Sequence, residues 1–377
     1  MIYFDNAATT MPKSRKAYKA YKRAFFSCGN ASRGGHPFAV HASECLYECR
    51  ERLADFFGTT PERAVLTMNA THAINLAVKG LIRGGTVLVS DLEHNAVMRP
   101  LYALEAAGRI KIRVFHVSLS DDEQTLEAFR GALDGDVSAC VVTHASNICG
   151  RVLPAERLAA AAKENGALFI CDASQTAGVY GIDLSAHDAP DVICMPGHKA
   201  LYGPQGTGAL LVSPSFEGRF DTLIEGGAGS YSADPQMPQL LPERLEAGTM
   251  NAPAFAGLAS ALDEARTQTK KEKQIFAYLL DGMRSIRGIT LYGAPENENI
   301  PYCPIILFNV NGKESEAAAD ELAGHGVCVR AGLHCAPLAH RALGTPENGA
   351  VRVSLSRYST FYEAERFLTI LARHVAG

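Results

Sequence analysis

Cys328, His334, Cys335 and His340 fall within one short stretch, VCVRAGLHCAPLAH, residues 327–340. Thiols and imidazoles this close together can hold a metal ion, or one thiol can work as a nucleophile. Zinc sites usually pair ligands at short spacing such as C-x2–4-C, and no such pair occurs here. Cys328 lies inside the apolar run VCV, which suits a packed strand better than a ligand. The metal reading is therefore the weaker one, and the question becomes what a nucleophilic cysteine would act on.

A second set of polar residues answers part of it. Short apolar runs end in Asp91-Leu92-Glu93-His94-Asn95, in Asn147, in Asp172 with Gln175, and in His198-Lys199. An amine in such a loop condenses with an aldehyde, and burial lowers its pKa. A lysine following an acid at another strand end therefore suggests a Schiff base. Pyridoxal phosphate asks a protein for a lysine, an acid for its pyridinium nitrogen, a ring-stacking partner and a phosphate cradle. Lys199, Asp172 and His94 fit the first three. For the fourth, Asn69, Ala70 and Thr71 precede an amphipathic helix whose free N–H groups and dipole favour an anion. GPQGTG (203–208) lacks the Gly-Lys pair of a phosphate-binding loop, and GGAGS (226–230) is too weak a match to a dinucleotide fingerprint.

The elements that must position these residues read as α/β. Apolar spacing predicts helices over 11–26 and 38–57, with Gly58 as a C-cap. TVLVSD, KIRVFHV, SACVVTHAS, ALFICDAS, DVICMP and GALLVS are short buried strands, several separated by helices near 121–133 and 154–165. The alternation predicts a large, mostly parallel, seven-stranded-type sheet flanked by helices. From residue 253 one long helical run, two strands and two further helices predict a smaller C-terminal α+β domain. The expected division is an N-terminal segment 1–15 near the small domain and site, a large domain 16–252, and a small domain 253–377 carrying the cysteine loop. In such sheets ligands gather at the carboxyl ends of the strands.

The bulk composition excludes several classes. A chain of 377 residues with formal charge −4, and with Lys and Arg scattered, carries no nucleic-acid surface. There is no apolar run long enough for a bilayer and no basic-then-apolar leader, which points to the cytosol. Ten cysteines in a large chain without an export signal are expected to be free. Cys140, Cys171 and Cys194 lie in apolar runs and read as core, while Cys28, Cys45, Cys49, Cys149 and Cys303 have no informative spacing.

Seven motifs then occur in order: YFDNAATT, EHN, SNICG, CDASQ, GHKALYGPQG, LEAGTMN and RAGLHCAP. Together they resemble the class V aminotransferase superfamily of fold-type I pyridoxal-phosphate enzymes, specifically the cysteine desulfurases and selenocysteine lyases. The resemblance runs from Tyr3 to about Arg357. It implies Lys199 as the Schiff-base lysine, Asp172 as the pyridinium partner, His94 stacked on the ring and Gln175 on the phenolic oxygen. Asn147 would sit by the ring and the substrate carboxylate. Ala70, Thr71 and His198 would belong to the phosphate cradle, with Thr249 reaching it from the second subunit of a homodimer. Arg352 would take the substrate carboxylate, with Asn30 and Ala8 at the substrate end. Cys335 would accept sulfur from L-cysteine as a persulfide, leaving alanine, and pass it to a sulfur-acceptor protein; His334 and Arg330 would lower its pKa. Selenocysteine is the alternative substrate, and β-elimination or transamination the alternative chemistry. Two departures stand out: Pro196 replaces a usual serine, removing a hydroxyl and an N–H, and Leu333 stands where a second histidine is common.

Overall fold

A computed structural model describes residues 1–31, 34–230, 233–265, 269–296 and 300–376. Its large sheet has seven strands in the spatial order Ala64–Thr67, Gly208–Val212, Val192–Pro196, Leu168–Asp172, Val137–Thr143, Thr86–Ser90 and Lys111–Phe115. All neighbours are parallel except the two pairings of Gly208–Val212. The side-chain alternation of a strand divides the core in two. Leu88, Cys140, Phe169, Cys171 and Ile193 pack on one face, and Val87, Val89, Val141, Ile170 and Cys194 on the other. Strands buried on both faces need apolar residues at every position, which is why these segments read as continuous apolar runs. The chain adds Lys111–Phe115 on one side of Thr86–Ser90 and Val137–Thr143 on the other. That reversal opens a crevice at the strands' carboxyl ends.

Local signals account for the flanking helices. Arg15–Ser27 begins only after Ser14, whose side chain accepts the N–H of Ala17, so residues 11–14 are not helical as the spacing suggested. Pro37–Phe57 closes at Gly58 in the left-handed conformation (φ 71°) that a C-cap favours. The edge strand Ala64–Thr67 was not anticipated; four residues are too few for a period to stand out. The run from 253 is two helices, Ala252–Leu262 and Lys270–Arg284, the second opening with a capping box between Thr269 and Glu272.

The C-terminal unit is an antiparallel sheet ordered Val351–Ser354, Ile305–Val310, Ile289–Tyr292, covered by Lys270–Arg284 and Phe361–Ile370. The first residues of the chain join it: Ile2–Tyr3 pairs with Val327–Cys328, and Phe4 packs edge-on against Phe367. Cys328 is thus a half-buried strand residue. Ala252, Phe255, Leu258 and Leu262 are buried in the core of the large unit. We therefore propose that the domain division falls between Leu262 and Lys270 rather than at 253. Among the described residues no helix is long and apolar enough to cross a membrane.

One buried ion pair ties distant parts of the large unit. Arg50 donates to both carboxylate oxygens of Glu246 (2.7 and 2.5 Å), while the same carboxylate accepts the N–H of Leu66 at 2.6 Å. Removing one partner strands the other charge away from water. Glu246→Ala is expected to lower unfolding free energy by about 3–5 kcal/mol, measured by urea unfolding of the cofactor-free protein.

Candidate active site

An open cleft of about 490 Å³ lies at the carboxyl ends of four strands and gathers Ala70, Thr71, His94, Asn147, Asp172, Gln175, Pro196, His198 and Lys199. Each reaches it for a local reason. His94 caps the helix Asn95–Ala106 that follows Thr86–Ser90, its Nδ1 accepting the N–H of Ala96 at 3.0 Å. Asp172 ends its strand, and Oδ1 accepts the N–H of Ser174. Lys199 follows the strand ending at Pro196, in a turn whose carbonyl takes bonds from Thr10 Oγ1 and Tyr202 N. Gln175 donates from Nε2 to the carbonyl of Ala7 at 3.2 Å, which draws the N-terminal segment to the same place.

Electrostatics divides these groups. Burial lowers the Lys199 pKa to about 8, against the stabilising charge of Asp172. Burial and Lys199 push His94 down to about 4, so its ring is neutral at physiological pH. With Nδ1 accepting from Ala96, its proton sits on Nε2. His198 is likewise lowered to about 4, by burial and then by Lys199 and Lys13.

The donor set fits a phosphorylated aldehyde cofactor. Asn69 takes the N–H of His72 on its side chain and that of Ala73 on its carbonyl. The N–H groups of Ala70 and Thr71 then remain at the end of the helix Ala70–Leu81, facing the cleft as an anion site. Gly208 allows this approach, since a Cβ there would lie 2.8 Å from the Asn69 backbone. His198 Nδ1 and Asn147 Oδ1 are buried without a protein partner, polar atoms that a bound molecule would satisfy.

The loop of the opening motif meets this cleft through its backbone. The carbonyl of Cys335 accepts the N–H of Asn95 at 2.7 Å, and that of His334 accepts Asn147 Nδ2 at 3.0 Å. Both residues are left-handed (φ 50° and 56°), a conformation that costs about 1 kcal/mol or more in a residue with a side chain. A chain of side chains holds them there. His334 Nε2 lies 3.2 Å from the carbonyl of Arg330, which can only accept, so Nε2 carries the proton. His334 Nδ1 must then accept from His340 Nε2 (3.2 Å), whose Nδ1 in turn accepts from the Thr345 hydroxyl (2.8 Å). Burial lowers His334 to about 3 and His340 to about 4. His334 is therefore neutral and cannot lend positive charge to a Cys335 thiolate, contrary to the expectation from sequence. It acts by holding the loop.

Arg352 is already engaged by the protein on two of its nitrogens. Only 3% exposed, it donates to the Asn147 carbonyl (2.9 Å) and to Asp5 (2.9 Å), leaving Nε–H buried without a partner. A two-pronged grip on a carboxylate would compete with Asp5. Arg330 donates to the same aspartate from the other side. Asn30 and Thr249 are not in the cleft; they line a separate open groove with Tyr47 and Leu240. Ala8 is half-buried in the turn after Asp5. Sequence reasoning gave no role to Glu93. It is fully buried behind the cleft, accepting Ser90 Oγ (2.6 Å) and Thr143 N (2.8 Å) on Oε1 and so tying two strand ends together. Burial raises its pKa to about 8, so it is protonated at neutral pH. Its place beside His94 in EHN was the available signal.

The fold is that of the pyridoxal-phosphate-dependent α/β enzymes, and the chain belongs to the aminotransferase class-V family, whose model matches residues 2–367. A relative from Methanothermobacter thermautotrophicus described as a probable cysteine desulfurase is 32% identical, over 97% of this chain and 92% of its own. One from Xylella fastidiosa, with the same description, is 31% identical over 99% and 90%. The solved apo cysteine desulfurase of Thermococcus onnurineus superposes with a TM-score of 0.88 at 28% identity, covering 99% of this chain and 94% of that one.

Replacing His340 removes the support of two left-handed residues without touching the cleft. His340→Phe is expected to slow sulfur release from cysteine by about ten- to a hundred-fold, with the absorption of bound cofactor unchanged. Because His334 is neutral, the rate of Cys335 alkylation should show no histidine inflection between about pH 5 and 7. An inflection abolished by His334→Gln would reverse that assignment.

Proposed function

We propose that this chain converts L-cysteine to L-alanine and takes up the released sulfur on Cys335 as a persulfide. The observation that carries this reading is the exposed Cys335, whose carbonyl accepts the N–H of Asn95 while the neighbouring His334 carbonyl accepts the Asn147 side chain, so that the loop is held at the Lys199 cleft. Relatives that share nearly the whole chain and are described as cysteine desulfurases support it.

Lys199 would hold pyridoxal phosphate, with Asp172 at its ring nitrogen, the neutral His94 ring against its face and Gln175 at its phenolic oxygen. Ala70, Thr71 and His198 would take the phosphate. Pro196 offers neither hydroxyl nor N–H, so the phosphate would rely on the helix end and on His198. When bound, the cofactor supplies an electron sink at the substrate Cα. With its pKa lowered to about 8, Lys199 has a substantial neutral fraction near physiological pH and can take and return the proton at Cα. Asn147 and the unpartnered Nε–H of Arg352 would orient the substrate carboxylate.

Cys335 acts as a thiolate, since a thiol is a poor nucleophile. Its sulfur bonds to the substrate sulfur as the carbon–sulfur bond breaks. The electron pair of that bond stays with carbon, which is protonated to alanine. The net change is cysteine plus enzyme thiol giving alanine plus enzyme persulfide, so no outside oxidant or reductant is consumed. The exposed persulfide is then open to an acceptor thiol on another protein.

We further propose a homodimer in which the partner subunit covers the groove holding Asn30 and Thr249 and completes each cleft. A cytosolic setting suits ten cysteines that are all free.

Cys335→Ala is expected to abolish persulfide formation from L-cysteine while retaining the yellow absorption of bound cofactor, and Lys199→Ala to lose that absorption. Persulfide built at the parental rate by Cys335→Ala would overturn the reading.

A further inference from the structure

Three residues that no spacing rule connects come together beside the large domain's helices. Cys28 is the C-cap of Arg15–Ser27, its N–H bonded to the carbonyl of Ala24. His41 and Cys45 stand one turn apart on Pro37–Phe57. Cys28 Sγ lies 3.8 Å from Cys45 Sγ, and Cys45 Sγ lies 3.9 Å from His41 Nε2. All three ligand atoms lie within 4.8 Å of one another.

These separations can be compared with a metal's demands. Tetrahedral zinc, with Zn–S of about 2.3 Å and Zn–N of about 2.0–2.1 Å, sets its ligand atoms roughly 3.6–3.8 Å apart. The two closest separations here are within a few tenths of an ångström of that. The histidine is also oriented as metal ligands usually are. Its Nε2 faces the sulfur, and its Nδ1 lies 3.6 Å from the exposed Glu44 carboxylate, an acid of the kind that commonly pairs with the second nitrogen of a metal-bound histidine. Cys45 is 7% exposed, while Cys28 and His41 are half-buried, which leaves a side for an ion to enter.

We propose that Cys28, His41 and Cys45 form a binding site for a thiophilic divalent cation, zinc, with a water in the fourth position. Two thiolates balance the charge of the ion, so binding releases their protons. The ion clips the end of one helix to the first turns of the next, across the connecting segment that carries Asn30. Its role is structural: it holds the two helices to each other, separate from the Lys199 cleft.

Cobalt(II) reports the geometry, because tetrahedral thiolate-bound cobalt has intense d–d absorption at the red end of the visible spectrum, where the cofactor is transparent. The reduced holoenzyme is expected to take up about one cobalt per chain with that spectrum, and zinc to displace it. The spectrum should persist in Cys335→Ala, be lost in Cys28→Ser, and weaken at least about ten-fold in affinity in His41→Gln. Chelation should lower the melting temperature of the zinc-loaded parent and leave that of Cys28→Ser unchanged. Cys28 and His41 are half-buried, so neither variant opens the core, and retained cofactor absorption shows that each is folded. The proposal falls if the parent gives only the weak spectrum of octahedral cobalt, or if Cys28→Ser binds as the parent does. It also falls if the two thiols form a disulfide in the purified protein and bind no metal after reduction.

Discussion

The active-site cleft depends on one buried guanidinium. Arg352 belongs to the small sheet, yet it reaches the Asn147 carbonyl of the large unit and the Asp5 carboxylate of the N-terminal segment. A buried charge needs compensating partners, so three parts of the chain far apart in sequence assemble around it. Asp5 also holds Arg330, at the start of the loop that carries Cys335, and the backbones of Arg330 and Arg352 bond to each other. The loop of Cys335, the strand end at Asn147 and the N-terminal segment therefore share one set of bonds. A shift of either unit would be felt at all three.

Burial sets the protonation pattern around that centre. His94, His198 and His334 all lose their proton at physiological pH because burial disfavours an imidazolium, with Lys199 or Arg352 adding to the effect. Glu93 stays protonated for the same reason, with the nearby Asp172 adding to the effect. The histidines thus work through shape and directed hydrogen bonds. At His334 this reverses a reading from residue type: a histidine beside a cysteine suggests a charge, whereas burial keeps it neutral and the Arg330 carbonyl fixes its proton on Nε2.

Much of the large sheet was legible because a strand buried on both faces must be apolar throughout, and the runs at 86–91, 138–146, 167–174 and 191–196 have no other use. The polar residues at their ends stood out for the same reason. The edge strand Ala64–Thr67 and the hairpin strand Ile289–Tyr292 lacked that contrast. The break between Ala252–Leu262 and Lys270–Arg284 was hidden by residues with good helix propensity on both sides, although Thr269 and Glu272 spell a capping box.

The sequence by itself determined the residue types, and with them the chemistry: an amine, acids, imidazoles and a thiol at loop positions, each bounded by elements whose periods are local. Tertiary structure decided which of them meet. It joined Cys335 to Asn95, placed Asn30 with Thr249 away from Lys199, and set Asp5 against the Arg352 fork. It also brought the ligand atoms of Cys28, His41 and Cys45 within 4.8 Å of one another. Local patterning fixes the face of a helix or strand on which a side chain sits. Only the packing of one element on another fixes what that side chain faces, because those contacts span large separations along the chain.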